Sequence, residues 1–322
     1  MNKNSREPVK GDRLSQKQRE QRLALTIIIP IFLIVFGIVI FPVLYNFWLS
    51  IQEVTLGNLA KATPIRALKW LFTLGRAGGL PDFVGLSNFI AVAQDPRFLS
   101  AFGTSLIYSF SGVILSILLG LYSALLVHRR MPARRVIRGI FLLPYIAPVV
   151  ATAFIWRWIL NPVYGVGNWL AVQAGLIAEP VAWISTRGLA LLIAIVFQGW
   201  RYFPFIFLFI LARLQSIPED LYEAARVDGA GTFQQFFHIT LPQLKGVLAT
   251  VFLLRFMWIF NKFDDIYLLN KGAAGTEVLP ILVRRYSIEM EQFGKGAALS
   301  IYLFLILAVF IFFYFRWVME EW

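Results

Sequence analysis

The sequence predicts an all-α protein that crosses a lipid bilayer six times. Three observations lead there: a composition too apolar for a soluble fold, six long runs with few or no charges, and basic residues gathered in the connectors of one side. Of 322 residues, 58% are hydrophobic and only 15% are charged. That length would suit two soluble domains, but apolar runs of about 20 residues are read as spans rather than as globular cores. The chain has no Cys, which excludes disulfides and thiolate metal sites. Two histidines, His128 and His238, cannot make a His-rich metal site, and both fall near span ends.

Residues 1–22 form a basic tail with Lys3, Arg6, Lys10, Arg13, Lys17, Arg19 and Arg22. Such a tail suits anionic lipid headgroups better than nucleic acid. Leu23 to Ile51 is the first expected span, with possible kinks at Pro30 and Pro42. It is too long for a signal-peptide core and lacks a small-residue cleavage site, so it is expected to be retained. Residues 52–97 are of mixed polarity and form an outer loop in which Trp70, Leu71 and Phe72 suit the membrane interface. Phe98 to Val127 is the second span. Gly103, Ser105, Ser109, Gly112, Ser116 and Gly120 recur along it, as close helix packing in lipid requires.

A short loop with Arg129, Arg130, Arg134, Arg135 and Arg138 leads to the third span, Gly139 to Ile159, bent by Pro144 and Pro148. Asn161 to Arg187 reads as an outer loop with an interfacial or re-entrant helix around Trp169. Gly188 to Ala212 is the fourth span, Gly246 to about Phe260 the fifth and Gly296 to Phe315 the sixth. Residues 261–295 are expected to form the last outer loop. Six spans put the tail, the 128–138 loop, the 213–245 connector and the C-terminus on one side. The tail and the 128–138 loop together hold twelve Lys and Arg, so that side is expected to be cytoplasmic.

The 213–245 connector reads as helix, glycine turn, helix. Ser216, Pro218 and Glu219 make a helix-start signature. Leu221, Ala224 and Ala225 share a helical stripe, and Gly229 and Gly231 are candidates for left-handed backbone that stops the helix. Thr232 and Gln235 repeat the capping pattern, with Phe233, Phe236 and Phe237 on an apolar side; Pro242 is expected to end that helix and turn the chain into the fifth span. Ala224 and Ala225 allow close approach of a partner, and Glu223 and Asp228 suit basic groups on it.

The spacing Glu223-Ala224-Ala225, three residues, Gly229, nine residues, Ile239-x-Leu241-Pro242 resembles the loop motif of ABC importer permeases. Gly139 to Pro144 with Pro148 and Phe154-Ile155-Trp156, Phe263 to Tyr267, and Phe83 to Phe89 are similar to the carbohydrate-uptake branch of that family, the maltose and glycerol-phosphate type. The resemblance runs from about Leu23 to the C-terminus. It departs at Asn270 to Ala274, where the family commonly has a Gly-Gly-Pro turn, which bears on the shape of the last outer loop. It implies a type I importer permease fold over 23–322, in a bacterial or archaeal inner membrane. It also implies a second permease subunit, two cytoplasmic ATPase subunits docked at Glu223, Ala224, Ala225, Asp228 and Gly229, and an extracytoplasmic solute-binding protein. ATP and Mg would then sit on the partner ATPase.

The residues themselves are consistent with an external energy source. No Gly-x-x-x-x-Gly-Lys-Ser/Thr loop is present, and Gly294-Lys295 lacks the upstream glycine and strand. None of the eighteen Asp and Glu is expected inside a span, which argues against a proton-coupled carrier. An ATP-independent channel, or the same machinery carrying an anion such as glycerol phosphate, is the alternative. Polar groups within spans are functional candidates by default. Gln198, Trp200 and Arg201 in the fourth span, Arg157 in the third, and Arg255, Trp258 and Asn261 in the fifth are the candidate substrate-binding residues. Arg201 and Arg255 have an alternative use, pairing with carbonyls of a neighbouring helix.

Overall fold

The computed structural model describes residues 16–73, 79–128 and 133–319. The basic tail up to Ser15, Arg129, Arg130, the Glu320-Glu321 end, and the side chains of Trp70 and Leu71 lie outside the described residues. The helices in chain order are α1 (Arg22–Ser50), α2 (Pro64–Phe72), α3 (Ser87–Gln94), α4 (Pro96–His128), α5 (Arg134–Ile146), α6 (Val149–Ile159), α7 (Val166–Gln173), α8 (Leu189–Gln215), α9 (Glu219–Val227), α10 (Thr232–Phe260), α11 (Asp264–Asn270), α12 (Leu279–Arg284) and α13 (Phe293–Tyr314). α1, α4, α8, α10 and α13 are each long and apolar enough to cross a bilayer, and α5 with α6, bent by 93° at their junction, passes the same test as a pair, which counted as one broken span is the sixth.

α4 and α8 run parallel and form the centre of the bundle. Their contact depends on small residues. A Cβ at Gly112 would lie 2.9 Å from Gln198 Oε1, one at Gly120 would lie 2.9 Å from Ile206 Cγ2 and 3.0 Å from the Phe207 backbone nitrogen, and one at Gly199 would meet Leu115 at 2.5 Å. Ser105, Ser109 and Ser116 are buried on the same helix, as the stripe in the sequence implies. Gly103 is not part of this interface and faces open space. One apolar core joins Tyr108, Phe197, Phe256, Phe260 and Leu299 from α4, α8, α10 and α13; a second joins Val127, Phe207, Ile210, Leu214 and Leu244 at the other end. By contrast, Leu23 to Val39 of α1 remain exposed, and only its last turns pack, with Trp48 buried.

The connectors differ between the two ends. At the end where α4 begins, residues 52–73 and 79–95 form a small cap: Gln52 pairs with Phe83 and Glu53 with Asp82 in a two-strand ladder. Asn88 Nδ2 donates to the Ser50 and Gln52 carbonyls at 2.9 Å each. Asp95 pairs with Arg97 at 2.6 Å and accepts from the Tyr286 hydroxyl. The hydrogen bond from Arg97 holds the Asp95 carboxyl well below the usual carboxylate range. α7 contains Trp169, so the helix expected there is present.

Three expectations need correction. The third span is two helices rather than one bent helix, because Pro148 lacks the N–H that would have bonded the Pro144 carbonyl. Pro242 does not turn the chain. A wide π turn at Phe236–Thr240 absorbs its ring and missing donor, so one helix runs from Thr232 to Phe260. Residues 261–295 are not a surface loop: Ile266, Leu269, Leu279 and Leu282 of α11 and α12 are buried in the main core.

The α4–α8 contact yields a test. Gly120→Val overpacks it and is expected to cost about 1–3 kcal/mol. The thermal unfolding midpoint in detergent should fall, whereas Gly103→Val, facing open space, should leave it nearly unchanged.

Candidate functional site

Two regions merit the term site: a hook between α8 and α10, and a polar cluster at mid-bundle. The hook is built from α9, a glycine turn and the start of α10. Pro218 precedes α9, and Glu219 and Asp220 occupy its first turn, where carboxylates complement the positive end of the helix dipole. Ser216 does not cap it; its hydroxyl donates back to the Arg213 carbonyl at 2.8 Å. Gly229 adopts φ +80° and makes the turn, while Gly231 has φ −71° and is extended. The cap of α10 comes from Gln234, whose Oε1 accepts the Gly231 N–H at 2.8 Å, and not from Gln235. Two contacts secure the hook: Tyr222 Oη bonds Thr240 Oγ1 at 3.0 Å, and Arg213 donates to the Gln243 carbonyl and side chain at 2.9 and 2.6 Å.

Ala225, Asp228 and Gly229 line a hollow of about 310 Å³ with Ala230, Gln234, Gln235, His238 and Ile239. Ala224 and Glu223 are exposed beside it. Glu223 lies 3.7 Å from Arg226 in its own helix. Val227 and Phe233 are 87% and 80% exposed, which leaves an apolar rim on a polar connector.

The cluster centres on Tyr202, the middle residue of α8. The Arg255 guanidinium sits over its ring at 4.2 Å, and Lys262 Nζ lies 5.4 Å from it. Its hydroxyl lies 3.4 Å from Asp265 Oδ1. Asp265 is 0% exposed and Arg255 3% exposed. Lys262 pairs instead with Asp264 at 3.0 Å. Gln198 is fully buried and accepts from Ser116 Oγ at 3.3 Å. Among the described residues, Arg255 Nε and Nη2, Asp265 Oδ2, Gln198 Nε2 and Tyr108 Oη are buried without a hydrogen-bond partner. Buried polar atoms are ordinarily satisfied, so this concentration marks the region.

The remaining candidates divide. Trp200 is half-buried against Trp156, with ring centroids 5.5 Å apart. Trp258 is 46% exposed; Arg255 lies 5.8 Å above its ring, and Phe205 packs against it edge-on. Arg201 is buried, but its guanidinium donates to Thr152 Oγ1 and to the Pro144 and Ala147 carbonyls. Asn261 is exposed at the end of α10, bonded to the Met257 carbonyl. Arg157 is exposed too; it lines a cleft of about 570 Å³ with Trp158, Asn161 and Tyr164, at the end of the bundle where α6 finishes. Reading the sequence missed Asp265, Tyr202, Tyr108 and Lys262. Asp265 lies outside every candidate span, as expected, yet it is fully buried, because α11 folds back against α6 and α8. The signal available was the Asp264-Asp265 pair heading an apolar turn.

Among the described residues no three His, Asp or Glu are grouped to hold a metal. A six-span helical bundle with a two-helix hook and a polar centre is the architecture of a membrane permease. Residues 116–318 match the family described as binding-protein-dependent transport system inner membrane component, and the chain belongs to that family. It is 33% identical to the trehalose/maltose transport system permease protein MalF of Thermococcus litoralis, over 93% of this chain and 95% of that one. It is 31% identical to the inner membrane ABC transporter permease protein YcjO of Escherichia coli, over 92% and 94%. A chain from the crystal structure of a bacterial ABC transporter involved in the import of the acidic polysaccharide alginate shares its fold, with a TM-score of 0.77 at 21% identity and coverage of 96% and 99%. The protein is thus a multi-pass permease subunit of an ABC importer.

The cluster makes a measurable distinction between adjacent acids. Removing one member of a buried charged group costs about 3–5 kcal/mol, whereas exposed pairs contribute about 0–1 kcal/mol. Asp265→Ala should therefore lower the unfolding midpoint in detergent far more than Asp264→Ala. Equal effects would remove Asp265 from the cluster's balance.

Proposed function

We propose that the chain lines the path of a carbohydrate or polyol-like solute and is driven by ATPase subunits that are separate polypeptides. The observation that carries the cargo reading is the mid-bundle group. Gln198, Arg255 and Asp265 offer donors and acceptors beside Tyr202, Trp200 and Trp258, and sugars are held by such aromatic faces together with a few placed polar groups. The relative named for trehalose and maltose transport supports the same class. Arg157 and Asn261 sit on the outer approach to this group rather than within it.

In this reading two cytoplasmic ATPases dock on the hooks of this chain and of a second permease. ATP and Mg belong to the ATPases, and this chain binds no cofactor of its own. A solute-binding protein delivers cargo to the outer cap, and both termini lie in the cytoplasm with the hook. Ala225, Asp228 and Gly229 frame the hollow that receives the ATPase surface; Glu223 and Ala224 flank it.

The cargo is tested with the complex assembled from this chain and the subunits encoded beside it, reconstituted in proteoliposomes. Radiolabelled maltose, trehalose and glycerol 3-phosphate are offered separately with the binding protein. ATP-dependent accumulation of a neutral sugar is expected. Uptake of glycerol phosphate alone would shift the cargo to anions, and downhill flux without ATP would overturn the importer reading.

The hook is tested at Gly229. A Cβ there meets no atom within 4 Å, so substitution begins in open space, although φ +80° costs about 1–2 kcal/mol for an L-residue. Gly229→Trp should insert normally and yet lose ATP-driven uptake at least about tenfold, the equivalent of one disrupted contact of about 1.4 kcal/mol. Normal uptake by that variant would contradict docking at the hollow.

A further inference from the structure

The break between α5 and α6 poses a problem that α8 resolves. Ala147 and Pro148 are both extended, at ψ 139° and 134°, so the helical ladder stops after the Ala147 N–H bonds the Leu143 carbonyl. The Pro144 carbonyl would take its bond from residue 148, which is proline and has no N–H. In lipid an unmet carbonyl is costly, and neighbouring helices or side chains must satisfy it. Arg201 does this from the next span. Nη1 donates to the Pro144 carbonyl at 3.4 Å and Nη2 to the Ala147 carbonyl at 2.8 Å.

The same guanidinium also grips the other side of the break. Nη1 donates to Thr152 Oγ1 at 2.8 Å, and the Thr152 hydroxyl donates in turn to carbonyls of its own first turn, Val149 at 3.0 Å and Pro148 at 3.2 Å. A cation placed at the carbonyl end of α5 is also favoured by the helix dipole. Both Arg201 and Thr152 are buried, at 6% and 5% exposure. Lysine would place one nitrogen here, whereas the two terminal nitrogens of the arginine fork share three acceptors across the break. Beyond the break, Trp156 packs on Phe197 and Trp200, and α6 lies against α11, the helix that carries Asp265.

We infer that Arg201 is a positioning residue and not a solute contact: it caps α5 from a neighbouring span, fixes the direction of α6, and so sets the outer half of the solute path. This rests on the reading of the mid-bundle group as that path. It assigns the guanidinium in the fourth span to backbone carbonyls and leaves solute recognition to Gln198, Arg255 and Asp265.

The chain has no Cys, so a pair of labels is unambiguous. Ile140→Cys on α5 and Ile155→Cys on α6, both more than half exposed, take spin labels in the complex assembled with cysteine-free partners. Pulsed EPR then reads the angle across the break in nanodiscs, without any sugar. The native protein should give one narrow distance. Arg201→Met should broaden it and lower the maximal uptake of the best-accumulated sugar about tenfold, with half-saturation within about twofold of native. Arg201→Lys should recover part of both. Thr152→Val keeps the arginine and the fold, and should fall between.

A native-width distance in Arg201→Met with half-saturation raised about tenfold would make Arg201 a solute contact and overturn the inference. A broadened distance with unchanged uptake would overturn it as well. If Arg201→Met fails to assemble, Thr152→Val decides, and a native-width distance there rejects the role. Failure of the native complex to move any sugar would instead defeat the cargo proposal, because the distance measurement needs none.

Discussion

Lipid offers no hydrogen bonds, so every backbone group at membrane depth must find its partner within the protein. Continuous helices meet that requirement alone. This bundle interrupts its helices in several places, and each interruption has its own resolution. At Pro148 the resolution is a guanidinium from α8. At Pro242 it is a π turn that keeps the helix going, with the Leu241 N–H reaching the Phe236 carbonyl. After Phe260 the chain bends into α11, whose Asn270 side chain accepts the Gly272 N–H and donates to the Ile184 carbonyl. The interruptions matter because they are where a span can carry a side chain away from the lattice of its own turns.

Packing supplies the rest of the frame. Helix association in lipid has little hydrophobic drive and depends on close contact. Gly112, Gly120 and Gly199 remove the side chains that would hold α4 and α8 apart, and Ser116 bonds Gln198 across the gap. That contact keeps α8 in register, and α8 presents Gln198, and one turn later Arg201 and Tyr202. The small-residue stripe and the polar cluster are therefore two faces of one constraint: a helix must be held very near its neighbour before its polar groups can be placed within tenths of an ångström.

Much of this was legible in the sequence. Spans were visible because charge is nearly absent from them, and the hook because its glycines, alanines and acids stand at fixed spacing. Gly229 fulfilled its expected backbone role, and Gly231 did not, because one left-handed residue suffices for the turn. What the sequence hid was long-range. An apolar window cannot distinguish a surface loop from α11, which is too short to register and begins with two carboxylates. For Arg201 the residues left two uses open, solute or neighbouring carbonyls, because nothing local says which carbonyls, 54 and 57 positions earlier in the chain, will face it. Ser216 matched a capping pattern, yet α8 continues to the residue before it, so its hydroxyl closes α8 instead of opening α9.

The charges at mid-bundle are difficult to explain by stability. A buried carboxylate and guanidinium rarely repay their desolvation, and apolar replacements of similar volume are often neutral or better. Here the set is not even fully paired, since Arg255 and Asp265 each keep an unsatisfied atom. A packing role would be served more cheaply by leucine and methionine. Arg201, on the neighbouring α8, is the contrasting case: its Nε also lacks a partner, but its two terminal nitrogens reach three protein acceptors. Adjacent side chains thus follow different logics: Arg201 completes a backbone that proline left incomplete, whereas Arg255 and Asp265 hold hydrogen-bonding capacity that the protein itself does not use. Unused capacity at that depth is what a path for hydroxyl-rich solutes requires, because each hydroxyl leaving water must be met by a group not already engaged.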